Sequence, residues 1–179
     1  MKQTVYQVQV RVFLKELQKY YEDNPDYGTV EKPYPADSFH QVICPYATFY
    51  GPLKNIMLYD ADCTYVWSIE SADGSVVSFA SNENSGMELE MIDPDPTNAK
   101  WKKIFEDAPE MDPKTKKVKV KPKKKGKDVF ELSTAADATP SAKFKFSFLF
   151  EFTDASGALK YGIIDPDGSL KPPPPPEYP

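Results

Sequence analysis

The segment FKFSFLFEF at residues 144–152 decides the fold, because it carries phenylalanine at every second position. Successive side chains of a β-strand point to opposite faces of a sheet, so a strand places all of these rings on one face. A helix would spread the same rings around its circumference. Burial of each ring contributes roughly 2–3 kcal/mol, and a row of rings needs an apolar layer opposite it. The segment therefore predicts two packed sheets or a closed barrel.

Shorter stretches on both sides of this segment predict further strands by the same alternation or by their β-branched and aromatic content. Their ranges are 6–13, 39–44, 48–50, 55–59, 64–70, 76–80, 87–92, 117–121, 129–132 and 159–164. Residues 72–75 (ADGS) predict a hairpin turn. Helix is expected only in short insertions, at 14–21 and around Trp101. We therefore predict an all-β fold, an antiparallel immunoglobulin-like (Ig-like) β-sandwich with short helical insertions.

The chain length predicts one domain. We expect a single β-sandwich domain at residues 1–170, with a loop insertion at about 93–127, followed by a proline-rich tail at 171–179. A chain of 179 residues that is 40% hydrophobic buries a sizeable core without disulfides or metals. We interpret Cys44 and Cys63 as two buried apolar side chains, and a disulfide between them is the alternative.

The N-terminal residues do not resemble an export signal. No apolar run follows Lys2, so a signal peptide is not predicted. The sequence also contains no stretch of 18 apolar residues, so a transmembrane helix is not expected. We therefore expect a cytoplasmic protein, with export by a route that needs no cleavable signal as the alternative.

Positive charge is concentrated in one segment. Residues 114–127 contain nine lysines and no acidic residue, whereas the remainder carries 13 basic and 27 acidic residues, a net charge of −14. The alternation of Lys117, Lys119 and Lys121 with valine predicts a strand whose lysines keep an exposed sheet edge from pairing with other chains. Contact with an acidic patch of another copy, or with an anionic surface, is the alternative. Nucleic acid is not the expected partner, because no aromatic residues are interleaved for base stacking.

Acidic residues near strand ends are the candidate ligand-binding residues. The sequence IDPD occurs at 92–95 and again at 164–167, and we interpret it first as a strand stop, because aspartate and proline both interrupt ladders. The alternative is a Ca²⁺ site, since hard cations take several oxygen ligands. For calcium or a carbohydrate, the candidate residues are Asp60, Asp62, Asp93 and Trp67. No other cofactor is expected.

Catalytic motifs are absent from the sequence. It contains no GxGxxG, P-loop, HExxH or GxSxG pattern. His40 is the only histidine, and four positions along a strand separate it from Cys44 by ~13 Å. We interpret both as packing residues and predict that the protein is not an enzyme.

The C-terminal tail is a candidate contact segment. Its five consecutive prolines favour a polyproline II rod of the kind that aromatic grooves bind. The candidate residues are Pro172, Pro174 and Tyr178. An extended end that contacts nothing is the alternative.

The stretch FKFSFLFEFTDASGALKYGIIDPDGSLKPPPPPEYP at 144–179 resembles the ends of the DP-EP family of small bacterial β-sandwich proteins. Those proteins also close with a strand, an Asp-Pro exit and a proline-bearing tail. The stretch is less closely similar to the closing strands of the inclusion-body (AidA/PixA) family, whose aromatic-Asp-Pro ending is replaced here by Ile164-Asp165-Pro166. Either resemblance implies a non-enzymatic β-sandwich and supplies no catalytic residues.

Taken together, these features predict a non-catalytic interaction or structural protein, which acts as a subunit of a homo- or hetero-assembly. Its expected partner is another protein or a second copy. The alternative is a small-ligand-binding module for carbohydrate or calcium, which uses loop carboxylates and aromatic side chains.

Overall fold

The computed structural model describes residues 4–44, 47–50, 56–59, 62–80, 86–91, 97–106, 110–121, 129–134 and 142–165. In chain order its strands are β1 (Thr4–Val12), β2 (Tyr34–Pro35), β3 (His40–Cys44), β4 (Ala47–Tyr50), β5 (Ile56–Tyr59), β6 (Cys63–Ser71), β7 (Val77–Phe79), β8 (Met87–Met91), β9 (Phe105–Glu106), β10 (Lys117–Val120), β11 (Val129–Thr134), β12 (Ala142–Thr153) and β13 (Leu159–Ile164). Its helices are α1 (Leu14–Tyr20) and α2 (Asn98–Ile104). The prediction of a mainly β fold with short helices is confirmed.

The strands form two sheets. Sheet A has the order β4-β3-β1-β6-β11-β9. Sheet B has the order β10-β8-β12-β13-β2, and β5 and β7 also pair with β12. The Ig-like topology stays a prediction, which these strand orders do not confirm.

Both sheets are mixed, so the prediction of a purely antiparallel sandwich is wrong. Strand β1 runs parallel to β6, in register from Thr4 opposite Cys63 to Val12 opposite Ser71. Strand β13 runs parallel to β2. Parallel neighbours need a long crossover connection, and the chain between β1 and β6 is long enough to provide one. Alternation along a strand does not reveal its direction relative to a neighbour, so the sequence pattern could not show this.

The phenylalanine row of β12 lies in the core, as predicted. Phe146, Phe148, Phe150 and Phe152 are at most 3% exposed, and the side chain of Phe144 lies outside the described residues. Trp67 of β6 packs edge-on against Phe146, with ring centroids 4.8 Å apart. Further buried residues of sheet A complete the opposite layer, among them Val8, Val10, Val12, Tyr65, Ile69 and Phe130.

A close approach between β12 and β13 depends on glycine. Gly162 is paired with Phe150 across the two strands. A Cβ atom at this position would lie 2.1 Å from Cζ of Phe150, far inside van der Waals contact. The phenylalanine ring therefore occupies the space above Gly162 that any other residue would fill.

Residues 72–75 do not form the predicted hairpin. They reverse the chain with Gly74 at φ +80°, but β6 belongs to sheet A, whereas β7 pairs with β12 in sheet B. The turn therefore carries the chain from one sheet to the other. Turn residues specify a reversal of direction, and the sheet that the next strand joins depends on long-range packing of Val77 and Phe79, which are both buried.

The predicted insertion at about 93–127 contains α2, β9 and β10. Trp101, Ile104 and Phe105 are all buried, at 0%, 9% and 2% exposed, as expected for an apolar face that fixes this region to the core. The Thr97 side chain caps α2 by accepting the Lys100 backbone N–H at 3.2 Å. This region therefore contributes both core side chains and a strand of sheet B.

Candidate functional site

Strand β10 lies at one edge of sheet B and carries the candidate interaction residues Lys117 and Lys119. Its apolar residues Val118 and Val120 are buried, at 0% and 7% exposed. Since alternate side chains of a strand point to opposite faces, both lysines belong to the outer face of sheet B. Lys121 follows directly after the strand and is exposed. The structure thus places the predicted lysine strand at a sheet edge.

Charges alternate across the outer face of sheet B from strand to strand. Glu90 of β8 is paired with Lys117 of β10 on one side and with Lys145 of β12 on the other. In the next row, Glu88 stands between Lys119 and Ser147. We call this pattern the charge ladder. Cross-strand pairs of opposite charge each contribute roughly 0.2–1 kcal/mol.

One diagonal of the charge ladder forms an ion pair. The Lys117 Nζ lies 3.8 Å from an Oε2 of Glu88, and both side chains are partly exposed, at 30% and 43%. An exposed pair at this distance adds little stability. The charge ladder therefore accounts for only a small part of the stability of the molecule.

Along Lys119, the outer side of the β10 backbone has no neighbouring strand among the described residues. The Lys117 carbonyl accepts the N–H of Asp112 at 2.9 Å, so the turn before β10 covers the first residue of the strand. Backbone groups of alternate residues point to the same side of a strand, so the N–H and C=O of Lys119 point the same way as this carbonyl, away from β8. Within the described ranges, no strand pairs with this side of β10.

A groove of about 230 Å³ lies beside the charge ladder on the outer face of sheet B. It is lined by Glu88, Lys119, Ser147, Leu149, Ile163 and Asp165. The lining thus offers one cation, two carboxylates, a hydroxyl group and two apolar side chains. This mixture suits a small polar molecule with an apolar part.

Asp37 has a buried carboxyl group that contacts Asp165, one of the residues that line the groove. It is 7% exposed, and its Oδ1 accepts the backbone N–H of Asp165 at 2.9 Å. Burial raises the pKa of Asp37 to about 7, the hydrogen bond from Asp165 opposes this rise, and the Asp165 carboxylate adds to it. The group therefore changes its protonation near neutral pH.

Asp37 is not among the candidate functional residues that the sequence predicts. Its position in the proline-rich stretch after β2 predicts an exposed loop, and no local pattern distinguishes it from other loop aspartates. Its burial arises because Ala36 donates its N–H to the Ile163 carbonyl at 2.8 Å and so holds the segment against β13. That contact joins residues far apart in the sequence.

His40 is fully buried close to Asp37. Its Nδ1 lies 3.0 Å from the Ala36 carbonyl oxygen, and since a carbonyl only accepts, Nδ1 carries the proton. Ser38 and Gln41 are also buried, at 0% and 6% exposed. His40 thus packs inside the protein, as predicted, and the Cys44 side chain lies outside the described residues.

The four candidate ligand residues are only partly described. Asp62 is exposed, has φ 54° and directly precedes β6. Trp67 is 0% exposed and lies in the core between the sheets. Asp60 and Asp93 lie outside the described residues, as do the tail residues Pro172, Pro174 and Tyr178. Ligand binding by these four residues therefore stays a prediction.

The second IDPD sequence is partly described. Strand β13 ends at Ile164, and Asp165 then donates its N–H to Asp37, which agrees with its interpretation as a strand stop. The first IDPD sequence lies outside the described residues. Within the described part of the chain, no group of three or more His, Cys, Asp or Glu side chains is placed to hold a metal ion.

Comparisons with known proteins give a distant structural similarity. The crystal structure of the inclusion body protein PixA from Burkholderia cenocepacia J2315 is similar with a TM-score of 0.41 and 8% identity, over 91% of this chain and 94% of that chain. No family model matches the chain, and no curated protein matches it. PixA is one of the two resemblances noted for the C-terminal stretch, and the DP-EP resemblance is not supported. At this TM-score the similarity carries no argument about function.

No helix in the described ranges is both long enough and apolar enough to cross a membrane.

Proposed function

We propose that this chain is a non-catalytic β-protein that acts by binding, as a subunit of a homo- or hetero-assembly. The basic edge of sheet B carries the proposal. There, Lys119 of β10 and Lys121 directly after it are exposed, and the outer side of β10 has no described neighbouring strand. The chain outside residues 114–127 has a net charge of −14. A basic edge and an acidic remainder are complementary, which favours contact between copies or with another acidic protein.

Sedimentation velocity at two salt concentrations tests this proposal. At about 50 mM salt we expect species larger than a monomer, and at about 500 mM salt we expect them to dissociate, because salt screens exposed charges. The double substitution Lys119→Glu and Lys121→Glu should remove the low-salt species. The double substitution Lys19→Glu and Lys103→Glu, at exposed lysines of α1 and α2, is the control with the same change of charge. A monomer at both salt concentrations, tested at micromolar concentration with an acidic protein present and absent, would contradict the proposal.

The groove on the outer face of sheet B favours a second candidate function. A small-ligand-binding module would use its carboxylates and hydroxyl group, and a carbohydrate matches the mixed polar and apolar lining. Thermal shift with a glycan panel and with calcium tests this candidate. A ligand that raises the melting temperature of the wild-type protein, and does so less in Ser147→Ala, would support it. If no glycan and no calcium concentration changes the melting temperature, the candidate is excluded.

A further inference from the structure

We propose that the outer edge of β10 accepts an added β-strand from an acidic partner segment in which acidic and apolar residues alternate. The inference rests on the proposed binding function and specifies the docking surface and the chemistry of the partner. Strand addition at a sheet edge combines backbone hydrogen bonds, which supply affinity, with alternate side chains, which supply specificity.

The charge ladder sets the charge that the added strand needs. Across the outer face, one row consists of Lys145, Glu90 and Lys117 on β12, β8 and β10. The next row consists of Ser147, Glu88 and Lys119 on the same three strands. Each glutamate of β8 already stands between two neighbouring strands, whereas Lys119 of β10 is paired with a glutamate on one side and has no strand on its other side among the described residues. Because the turn before β10 covers Lys117, a further strand would place its acidic residues opposite Lys119 and the exposed Lys121. Opposite charges across strands are favourable.

The backbone also fits strand addition, at the second half of β10. The Lys117 carbonyl accepts the N–H of Asp112. The N–H and C=O of Lys119 also point outward, and no other described residue pairs with them. The Lys119 side chain is held across Gly86, because a Cβ on Gly86 would lie 2.9 Å from its Cε and 3.0 Å from its Cγ. The lysine therefore lies over the outer face and leaves the edge of the backbone accessible.

A second β10 strand is the wrong occupant of this edge. Pairing β10 with β10 would place lysines next to lysines, and like charges opposite each other are destabilising. The lysines thus disfavour pairing with an identical strand and favour pairing with an acidic one. Edge lysines can therefore prevent unwanted pairing and still bind an acidic partner. The partner pattern is the one β8 itself shows, Met-Glu-Leu-Glu-Met at 87–91, with Glu on the outer face and buried Met and Leu on the inner face.

The experiment uses the full-length protein and a synthetic peptide with the sequence of residues 86–92, GMELEMI, labelled with a fluorophore. We expect saturable binding by fluorescence anisotropy. Two control peptides separate the contributions of charge and alternation. One has lysine in place of both glutamates, and the other exchanges Glu88 and Leu89, which keeps the charge but breaks the alternation. Both should bind at least about tenfold more weakly, since about 1.4 kcal/mol corresponds to a factor of ten.

Protein variants locate the binding surface. Lys119→Glu should weaken binding of the GMELEMI peptide about tenfold, and Lys103→Glu, on α2, should leave it unchanged. Circular dichroism melting of both variants checks that they fold. If Lys119→Glu has a much lower melting temperature than the wild-type protein, Lys119→Ala replaces it, and we expect a smaller loss of affinity.

Amide hydrogen exchange distinguishes an added strand from general charge attraction. Peptide binding should slow exchange of the Lys119 amide, while the Val118 and Val120 amides, which face β8, should be unaffected. The inference is overturned if the control peptide with Glu88 and Leu89 exchanged binds as tightly as GMELEMI. It is also overturned if peptide binding does not slow exchange of the Lys119 amide. If the GMELEMI peptide does not bind at all, while the protein still associates in low salt, the inference fails and the proposed assembly function stands.

Discussion

At the scale of the residue, Asp37 couples the pH to the stability of the fold. Its pKa rises from 3.8 to about 7 on folding, chiefly because the group is buried. Between about pH 4 and pH 7 the unfolded chain releases this proton while the folded chain keeps it. The unfolded state therefore binds fewer protons in this window, and the free energy of unfolding falls as the pH rises through it.

We therefore predict that Asp37→Asn is more stable than the wild-type protein at pH 8 and that the difference shrinks at pH 5. The full pKa shift corresponds to about 4 kcal/mol as an upper limit, and the asparagine oxygen can still accept the Asp165 N–H. Urea unfolding at the two pH values measures the difference. A constant difference at both pH values would contradict the assigned role of Asp37.

Asp73 provides the matched control, because its pKa moves in the opposite direction. Hydrogen bonds from Ser71 and Ser75 lower the pKa of this exposed turn residue to about 2. Its stabilising contribution is present above about pH 4 and is lost only as the pH falls towards 2. Asp73→Asn should therefore reduce stability equally at pH 5 and pH 8.

At the scale of the element, strand positions follow from local pattern and strand partners do not. The alternation at β12, the Met-Glu-Leu-Glu-Met pattern of β8 and the last strand β13 predict these elements to within about two residues, because each reflects one buried face. The parallel pairing of β1 with β6 and the move of β7 into sheet B depend on residues far away in the sequence. Asp37 was missed for the same reason, because Asp165, which contacts it, lies near the other end of the chain.

Helix α2 lies within the region predicted to be an inserted loop, yet it contributes a side chain to the core. Trp101 is 0% exposed, and its ring packs 4.7 Å from that of Phe105. We expect Trp101→Ala to destabilise the protein by about 3–5 kcal/mol, whereas Lys103→Ala on the exposed side of the same helix should change stability by less than about 0.5 kcal/mol. Chemical denaturation measures both. A small effect of Trp101→Ala would show that α2 is dispensable for the core.

At the scale of the whole molecule, one core joins the two sheets. Buried residues of sheet A, such as Trp67 and Phe130, contact Phe146 and Phe79 of sheet B. The chain also crosses between the sheets at residues 72–75, and β9 and β10, which are close in sequence, lie at edges of different sheets. Neither sheet can bury its apolar face without the other.

We therefore expect a single cooperative unfolding transition, as in other small domains with one core. Tryptophan fluorescence reports the environments of Trp67 and Trp101, and far-ultraviolet circular dichroism reports the strands. The two urea transitions should coincide. Separate midpoints would contradict a single domain at residues 1–170.

The central position of β12 also has a consequence for the timing of folding during synthesis. Strands β5, β7 and β8 are made early but take β12 as their neighbour, and Met91 is paired with Phe144. At about 5–20 residues per second, the ribosome needs roughly 3–10 s to reach β12 after it has made β8. For that interval Phe79, Met87 and Leu89 lack β12 as their neighbour, although β10 becomes available to pair with β8 before β12 is made. Chaperone capture is therefore most valuable between these two moments of translation.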